Sequence, residues 1–62
     1  MLIMALKFFT ESSTGCTVAV NPVNVQLVRE VSKGGCIIEM ISGNDIRINE
    51  PFLEVIPKLN EK

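Results

Sequence analysis

Five short runs of β-type residues, each closed by turn-forming residues, fill the chain as far as residue 48, and this pattern allows few folds. The runs cover residues 5–10, 16–20, 25–31, 36–41 and 46–48. Every connection between them is short enough for a hairpin, whereas parallel strands need crossovers of about a dozen residues or more. The pattern therefore predicts a small antiparallel sheet in the form of a five-stranded meander.

The apolar spacing changes after residue 48. The new spacing of i, i+3, i+4 and i+7 is that of one helix face, and it is formed by Phe52, Val55, Ile56 and Leu59. Asn49 is a suitable N-cap, and Pro57 should kink or stop the helix near Ile56, because it cannot bond to the carbonyl of Leu53. The fold class is thus α+β, mainly β, with one C-terminal helix packed on the sheet of a single domain spanning residues 1–62.

Asn21 and Pro22 lie between the second and third runs. Proline cannot donate to the ladder of a central strand, and it biases the preceding residue toward extended geometry. We interpret the pair as a corner between two strands. The third strand then has two faces, with Val25, Leu27, Arg29 and Val31 on one side and Gln26, Val28 and Glu30 on the other.

The size of the chain favours self-association. A domain of 62 residues buries only about 60% of the surface of its unfolded chain. Its hydrophobic content of 47% exceeds what one small core can bury, and one helix covers only one face of a sheet. We therefore expect the uncovered face to meet a second copy in a homodimer or higher homo-oligomer, with another protein as a further potential partner. The expected interface residues are Phe8, Val28, Ile37 and Ile41.

No grouping of residues indicates catalysis. The chain has no histidine, tryptophan or tyrosine, so the commonest general base and metal ligand are missing. All four serines fall in predicted turns, and the glycines of "SKGG" and "SGND" lack the spacing of a phosphate-binding loop, so we interpret them as hairpin turns. We expect no enzyme activity, no catalytic residues, no cofactor and no metal.

The charges do not favour nucleic acid as a partner. Six basic residues against seven acidic ones give a formal net charge of −1, and the basic residues do not cluster in the sequence. Nucleic-acid affinity depends mainly on neutralising phosphates. Glu30, Glu39 and Arg47 lie on three successive predicted strands, which we interpret as a solvated, salt-bridged face, with a functional patch as the alternative.

The cysteines and the N-terminus point to the cytoplasm. The segment "MLIMALKFF" lacks the basic start and cleavage site of a secretion signal, and its apolar run is too short to span a bilayer. We expect a cytoplasmic protein that does not enter a membrane. Cys16 and Cys36 are expected to be reduced, buried thiols that act as small hydrophobes, and a disulfide between neighbouring strands is the alternative.

A family resemblance begins at the Asn-Pro corner. "VNP" precedes an alternating strand, "CIIEMISGNDIRINE" has the form of a hairpin, and "FLEVIPKL" follows as a helix. Over roughly residues 19 to 60 this resembles the small flagellar proteins of the FlbD type, with the markers Asn21, Pro22, Gly43, Glu50, Glu54 and Val55. The resemblance implies a small sheet with a C-terminal helix and supplies no catalytic residues. The chain differs in its "TESSTG" turn, in Pro51 and in Pro57.

Two functions follow from these observations. The first is a non-enzymatic protein-interaction or regulatory module that self-associates through an apolar sheet face. The alternative is a small nucleic-acid-binding regulator. It is implied by a more distant resemblance to the β-rich DNA-binding domains of LytTR-type response regulators, although the basic residues expected for DNA are missing here.

Overall fold

The computed structural model describes residues 6–61. Its elements are β1 (Lys7–Thr10), β2 (Thr17–Val20), a 3-10 turn (Pro22–Asn24), β3 (Val25–Glu30), β4 (Cys36–Met40), β5 (Asp45–Ile48) and α1 (Phe52–Asn60). Every pair of strands is antiparallel. The predicted class, mainly β with a C-terminal helix, is confirmed. The predicted start of the first strand at Ala5 lies outside the described residues.

The five strands are divided between two sheets, a β1–β2 hairpin and a three-stranded sheet in the order β3-β4-β5. The end of β1 meets the end of β5 through a bridge between Glu11 and Ile48. Around it, the Ser12 N–H donates to the Arg47 carbonyl at 2.8 Å, and the Asn49 N–H donates to the Thr10 carbonyl at 2.9 Å. The two sheets therefore touch through β1 and β5, and the meander is interrupted between β2 and β3.

The interruption lies at the predicted Asn-Pro corner. The side-chain oxygen of Asn21 accepts a hydrogen bond from the Val23 N–H at 3.1 Å, and its carbonyl accepts one from the Asn24 N–H at 3.0 Å. Pro22 opens the short 3-10 turn, where its missing N–H costs no hydrogen bond. The corner turns the chain away from the hairpin before β3 begins.

The β3–β4 connection needs its second glycine. Gly35 has φ +80°, and a Cβ atom added there would lie 2.3 Å from the carbonyl oxygen of Ile48. Any side chain would clash with this backbone oxygen, so β5 can approach the turn only because residue 35 is glycine. The prediction of a hairpin at "SKGG" is confirmed.

The core lies between the inner faces of the two sheets and the helix. Its fully buried side chains are Phe9, Val20, Cys36, Ile38, Ile48 and Val55. The partly buried side chains that pack against them include Val18, Val25, Val28, Met40, Ile46, Phe52 and Leu59. Of the predicted helix face, Phe52, Val55 and Leu59 pack in this core, whereas Ile56 is half-buried and lies outside the cluster.

A register shift in β3 moves Val25 to the face of Val28, whereas Leu27 and Arg29 stay on the opposite face from Val28 and Glu30, as predicted. The pairing with β4 slips between Val25 and Leu27, so that one extra residue lies on the β3 side. Val25 and Val28 consequently both pack against the core. Val28 was expected on an uncovered face and as an interface residue. It faces inward instead, because the helix and the hairpin cover this face of the sheet.

The helix begins without the expected Asn49 cap, and it does not stop near Ile56. Pro51 occupies the N-cap position without a side-chain cap, and the side chain of Asn49 instead accepts a hydrogen bond from the Ser12 hydroxyl at 2.8 Å. The helix continues through Pro57 to Asn60. Leu53, whose carbonyl loses its helical partner, is 85% exposed. The exposure of Leu53 leaves room for water to replace the missing donor.

The two cysteines have different environments. Cys36 is buried, as predicted, but Cys16 is exposed at the start of β2, so the expectation of two buried thiols is wrong for Cys16. Burial raises the pKa of the Cys36 thiol, and the charges of Glu30 and Glu50 raise it further. Both thiols are free. Within residues 6–61, no helix has the length and apolar character needed to cross a membrane.

Candidate interaction surface of the β1–β2 hairpin

The outer face of the hairpin is apolar and open to solvent. Residues that lie opposite each other in an antiparallel pair share a face. Phe8 is paired with Ala19, and Phe8 is 55% exposed whereas Phe9, on the other face, is 1% exposed. Leu6, two residues before Phe8, is also exposed. We call Leu6, Phe8 and Ala19 the hairpin patch.

Glu50, which precedes α1, and Lys58, within α1, attach the hairpin to the rest of the fold along one edge of β1. Both carboxylate oxygens of Glu50 accept from the Thr10 N–H at 3.0 Å. The Lys58 ammonium donates to the Phe8 carbonyl at 2.5 Å and lies 4.8 Å from the centre of the Phe9 ring. These charged side chains take the place of a neighbouring strand. They satisfy backbone groups of β1 that would otherwise be free to pair with another chain.

Lys7 is the charged residue that the sequence did not single out. It lies on the inner face opposite Val20, its residue is only 8% exposed, and its ammonium reaches Glu61 at 3.1 Å. A lysine can bury its aliphatic stem while its charged end reaches a partner near solvent. The sequence carried one signal for the burial of Lys7. Residues 7 and 9 of a strand share a face, so Lys7 lies on the same face as Phe9.

The outer edge of β2 has unpaired backbone groups. The Phe8 carbonyl accepts from Lys58, the Thr10 N–H donates to Glu50 and the Thr10 carbonyl accepts from Asn49, so the backbone polar groups of Phe8 and Thr10 point away from β2. Phe8 and Thr10 are paired with Ala19 and Thr17, so these are the non-hydrogen-bonded pairs of the hairpin. The N–H and C=O groups of Thr17 and Ala19 therefore point to the free edge, and no residue among 6–61 bonds to them.

The outer face of the three-stranded sheet differs, because it is charged. One row across the strands consists of Arg29, Ile37 and Arg47, and the next consists of Leu27, Glu39 and Asp45. Arg29 and Glu39 form an ion pair at 3.6 Å. The interpretation of a salt-bridged face holds for Glu39, whereas Glu30 lies in the row of the buried Cys36 and Ile48.

The four predicted interface residues do not share one surface. Phe8 belongs to the hairpin patch, and Val28 packs against the core. Ile37 is half-buried between two arginines. Ile41, 63% exposed, lines a hollow of about 510 Å³ with Met40 and Ile46 at the β4–β5 turn. The expected single apolar face is therefore replaced by separate apolar spots, and only Phe8 lies beside a free sheet edge.

A second hollow, of about 430 Å³, is polar and basic. Turn residues and the end of β5 line it, namely Ser12, Ser13, Lys33, Gly34, Arg47 and Asn49. Its lining contains no acidic residue, and neither Lys33 nor Arg47 forms an ion pair within the part of the chain that the structure describes. The hollow offers hydroxyl, amide and cationic donors, which suit an anion.

In the part of the chain that the structure describes, the residues that could hold a metal do not gather. Within residues 6–61, no group of three or more cysteine, aspartate or glutamate side chains is close enough to form a site.

Searches for similar proteins found no matching family model, no matching curated protein and no matching solved structure.

Proposed function

We propose that this chain is a non-enzymatic protein-interaction or regulatory module that self-associates, and that the hairpin patch is its contact surface. The observation that carries the proposal is the half-exposed ring of Phe8 beside Leu6 and Ala19, on a face without charged side chains. Burying apolar surface yields about 25 cal/mol per Å². The patch therefore gains more from a partner than the charged outer face of the three-stranded sheet does.

The small core gives a second reason for association. Few side chains are fully buried, whereas Leu6, Phe8, Val23, Leu27, Ile41 and Leu53 are exposed. A single chain of this size is marginally stable, and a partner that binds only the folded state adds to its stability. Association and folding thus support each other in a domain this small.

Sedimentation equilibrium of the purified chain tests this proposal. We expect species heavier than the 6.8 kDa chain at micromolar concentrations. Phe8→Ser should shift the population toward monomer while the circular dichroism spectrum stays native. Leu53→Ser is the matched control, because Leu53 is exposed on the helix and lies outside the patch. A folded wild-type chain that remains monomeric throughout the concentration range contradicts the proposal.

We propose the cytoplasm as the place of action. The exposed thiol of Cys16 has no disulfide partner in the described part of the chain, which suits a reducing compartment. A flagellar role is what the FlbD-type resemblance adds to the proposal. Capture of flagellar proteins by the wild-type chain and not by Phe8→Ser would support that role, and equal capture by both would remove it.

Nucleic-acid binding is the second candidate, and the basic hollow is the observation that favours it. Lys33 and Arg47 lie together with hydroxyl and amide donors, without an acidic neighbour in the lining. Two phosphate contacts would give a shallow salt dependence of binding, with a slope of about −2 on duplex DNA. Mobility-shift assays at low salt test this candidate. Binding that is lost in Lys33→Gln and Arg47→Gln, and kept in Arg29→Gln, would favour it.

A further inference from the structure

We infer that two copies of this chain pair through the free edges of their β2 strands, antiparallel and centred on Val18. The inference rests on the proposed self-association and specifies its geometry. The partner is a second copy, joined by backbone hydrogen bonds that extend the hairpin into a four-stranded sheet. The strand order would be β1-β2 of one copy followed by β2-β1 of the other.

The hydrogen-bonding groups of β2 are suited to such a partner. Thr17 and Ala19 are exposed, and their N–H and C=O groups point away from β1 without partners among residues 6–61. A row of unpaired strand groups is a template for another strand. The occupant of this edge is thus an extended backbone.

The other edges of the fold are obstructed. Glu50 and Lys58 occupy the second edge of β1. A bulge interrupts β3, α1 packs against it, and Arg29 and Glu30 are exposed at its end. The part of β5 that β1 does not reach begins with the charged Asp45. By contrast, residues 17–20 contain no charge, no proline and no bulge, which are the usual protections of an edge.

The β2 edge is complementary to itself. When Val18 lies opposite Val18 of a second copy, Thr17 lies opposite Ala19 of that copy, and the reverse holds on the other side of the two-fold axis. Both residues of each pair direct their N–H and C=O groups outward, so each pair can exchange two hydrogen bonds. An interface in which one surface pairs with itself is the commonest basis of homodimers.

The pairing also joins the two hairpin patches. Residues opposite each other share a face, so Phe8 and Ala19 of both copies come to lie on the same side of the four-stranded sheet. The small side chain of Ala19 leaves space beside the second strand. Ala19 of each patch then lies at the seam, whereas Phe8, on β1, lies one strand away from the seam on the outer face of the joined sheet.

Ala19→Pro tests the inference. The proline removes an N–H that faces the free edge, so the ladder between β1 and β2 keeps all of its hydrogen bonds. We expect a folded monomer, with dimer dissociation at least about tenfold easier than in the wild-type chain. Ala19→Ser is the matched control, because it keeps both the N–H and the small size, and it should remain dimeric.

Amide hydrogen exchange in the wild-type chain gives a second readout that needs no variant. The amides of Thr17 and Ala19 should be protected at concentrations where the chain is dimeric, and should exchange at least about tenfold faster after dilution to monomer. The amides of Val18 and Val20 bond to β1 and should stay protected in both states. If Ala19→Pro fails to fold, this comparison decides the matter alone.

The outcomes separate the two proposals. A dimer that persists in folded Ala19→Pro, with the Thr17 and Ala19 amides unprotected, overturns the edge pairing and leaves self-association through the hairpin patch in place. A wild-type chain that is monomeric at every concentration overturns both. Loss of the dimer in Ala19→Pro together with its retention in Ala19→Ser, or protection of both edge amides in the dimer, supports the β2 edge.

Discussion

The β1–β2 hairpin and the three-stranded sheet share one core but differ in the side chains that they expose to water. On the outer face of the three-stranded sheet, Arg29 pairs with Glu39, and Asp45 and Arg47 are exposed. The outer face of the hairpin has Phe8 and the rest of the hairpin patch instead. The comparison teaches that two sheet faces of one fold can differ in polarity, and that the register decides which side chains each of them exposes.

The two regions also differ in how they are held. The strands of the three-stranded sheet are joined by continuous backbone ladders on both sides of β4. The hairpin is joined to them through a short β1–β5 contact and through the side chains of Glu50 and Lys58. A mutation in the sheet should therefore reduce global stability, whereas a mutation at the junction should loosen the hairpin first.

Ile38→Ala should have the largest effect. Ile38 lies at the centre of the three-stranded sheet and is fully buried. Removing its side chain leaves a cavity at a cost of about 2–5 kcal/mol, a large share of the stability of so small a domain. Thermal and urea unfolding measure the change. Ile37→Ala is the control from the opposite face of the same strand and should cost much less, and equal losses at both positions would contradict the assigned faces.

Gly35→Ala should have the next largest effect on stability. The new methyl group would be 2.3 Å from the Ile48 carbonyl oxygen at a positive φ, so the β3–β4 turn must shift away from β5. We expect a loss of about 2–3 kcal/mol from strain and overpacking. Gly34→Ala has φ +99° and no atom near the added Cβ, so it carries only the backbone cost of about 1–2 kcal/mol. Equal unfolding midpoints for the two variants would show that the close approach is not a constraint.

Glu50→Ala tests the junction between the two regions. It removes the acceptor of the Thr10 N–H, a charge-assisted contact that contributes about 1.5–3 kcal/mol when partly buried. Amide exchange should show faster opening of β1 and β2 than of β3 to β5. Glu54→Ala, in the first turn of α1, is the control, because Glu54 makes no such contact among the described residues. Uniform acceleration over the whole chain would mean that the hairpin is not a separate unit.

The turns and most strand bounds could be predicted because their signals are local. Asn21-Pro22 and the glycines of the β3–β4 turn fix backbone geometry by themselves. The bulge in β3 could not be predicted, since no residue type demands it. It arises from the pairing with β4, and it moves Val25 to the core side with Val28. The contact of Glu11 with Ile48 is equally non-local, so the division into two sheets was not visible in the sequence.

The candidate site was predicted only in part, for the same reason. Phe8 was expected at an interface, and it is exposed, as such a residue must be. Alternation of side chains could not show that the second edge of β1 is occupied by Glu50 and Lys58, because these residues are distant in sequence. Ile37 was expected in an apolar face, but its neighbours on β3 and β5 are both arginines once the register is known. Free edges and face composition emerge only from long-range pairing.

Alkaline pH should weaken the shared core through Cys36. Burial, Glu30 and Glu50 raise the pKa of this thiol in the folded chain above its ordinary value of 9.0. Above pH 9 the unfolded chain loses this proton while the folded chain keeps it, so stability should fall with rising pH. The slope from this group is at most about 1.4 kcal/mol per pH unit. Urea unfolding at pH 8 to 10.5 measures the slope.

The control for the alkaline effect is Cys36→Ala, which should be less stable at neutral pH but should lose this part of the slope. Alkylation of the native wild-type chain should modify the exposed Cys16 and spare Cys36. An unchanged slope in Cys36→Ala would assign the alkaline effect to other groups. Rapid modification of both thiols would show that the core opens on the time scale of the reaction.

Arg29→Gln should have the smallest effect on stability. It tests the charged outer face of the three-stranded sheet. The ion pair with Glu39 is 3.6 Å long, and the arginine side chain is largely exposed, so its loss should cost no more than about 0.5 kcal/mol. The oligomeric state should not change, because this face is already satisfied by solvent and by its own charges. Urea unfolding and sedimentation measure the two quantities. A dimer that dissociates in Arg29→Gln but persists in Phe8→Ser would reverse the roles assigned to the two faces and move the contact surface to the three-stranded sheet.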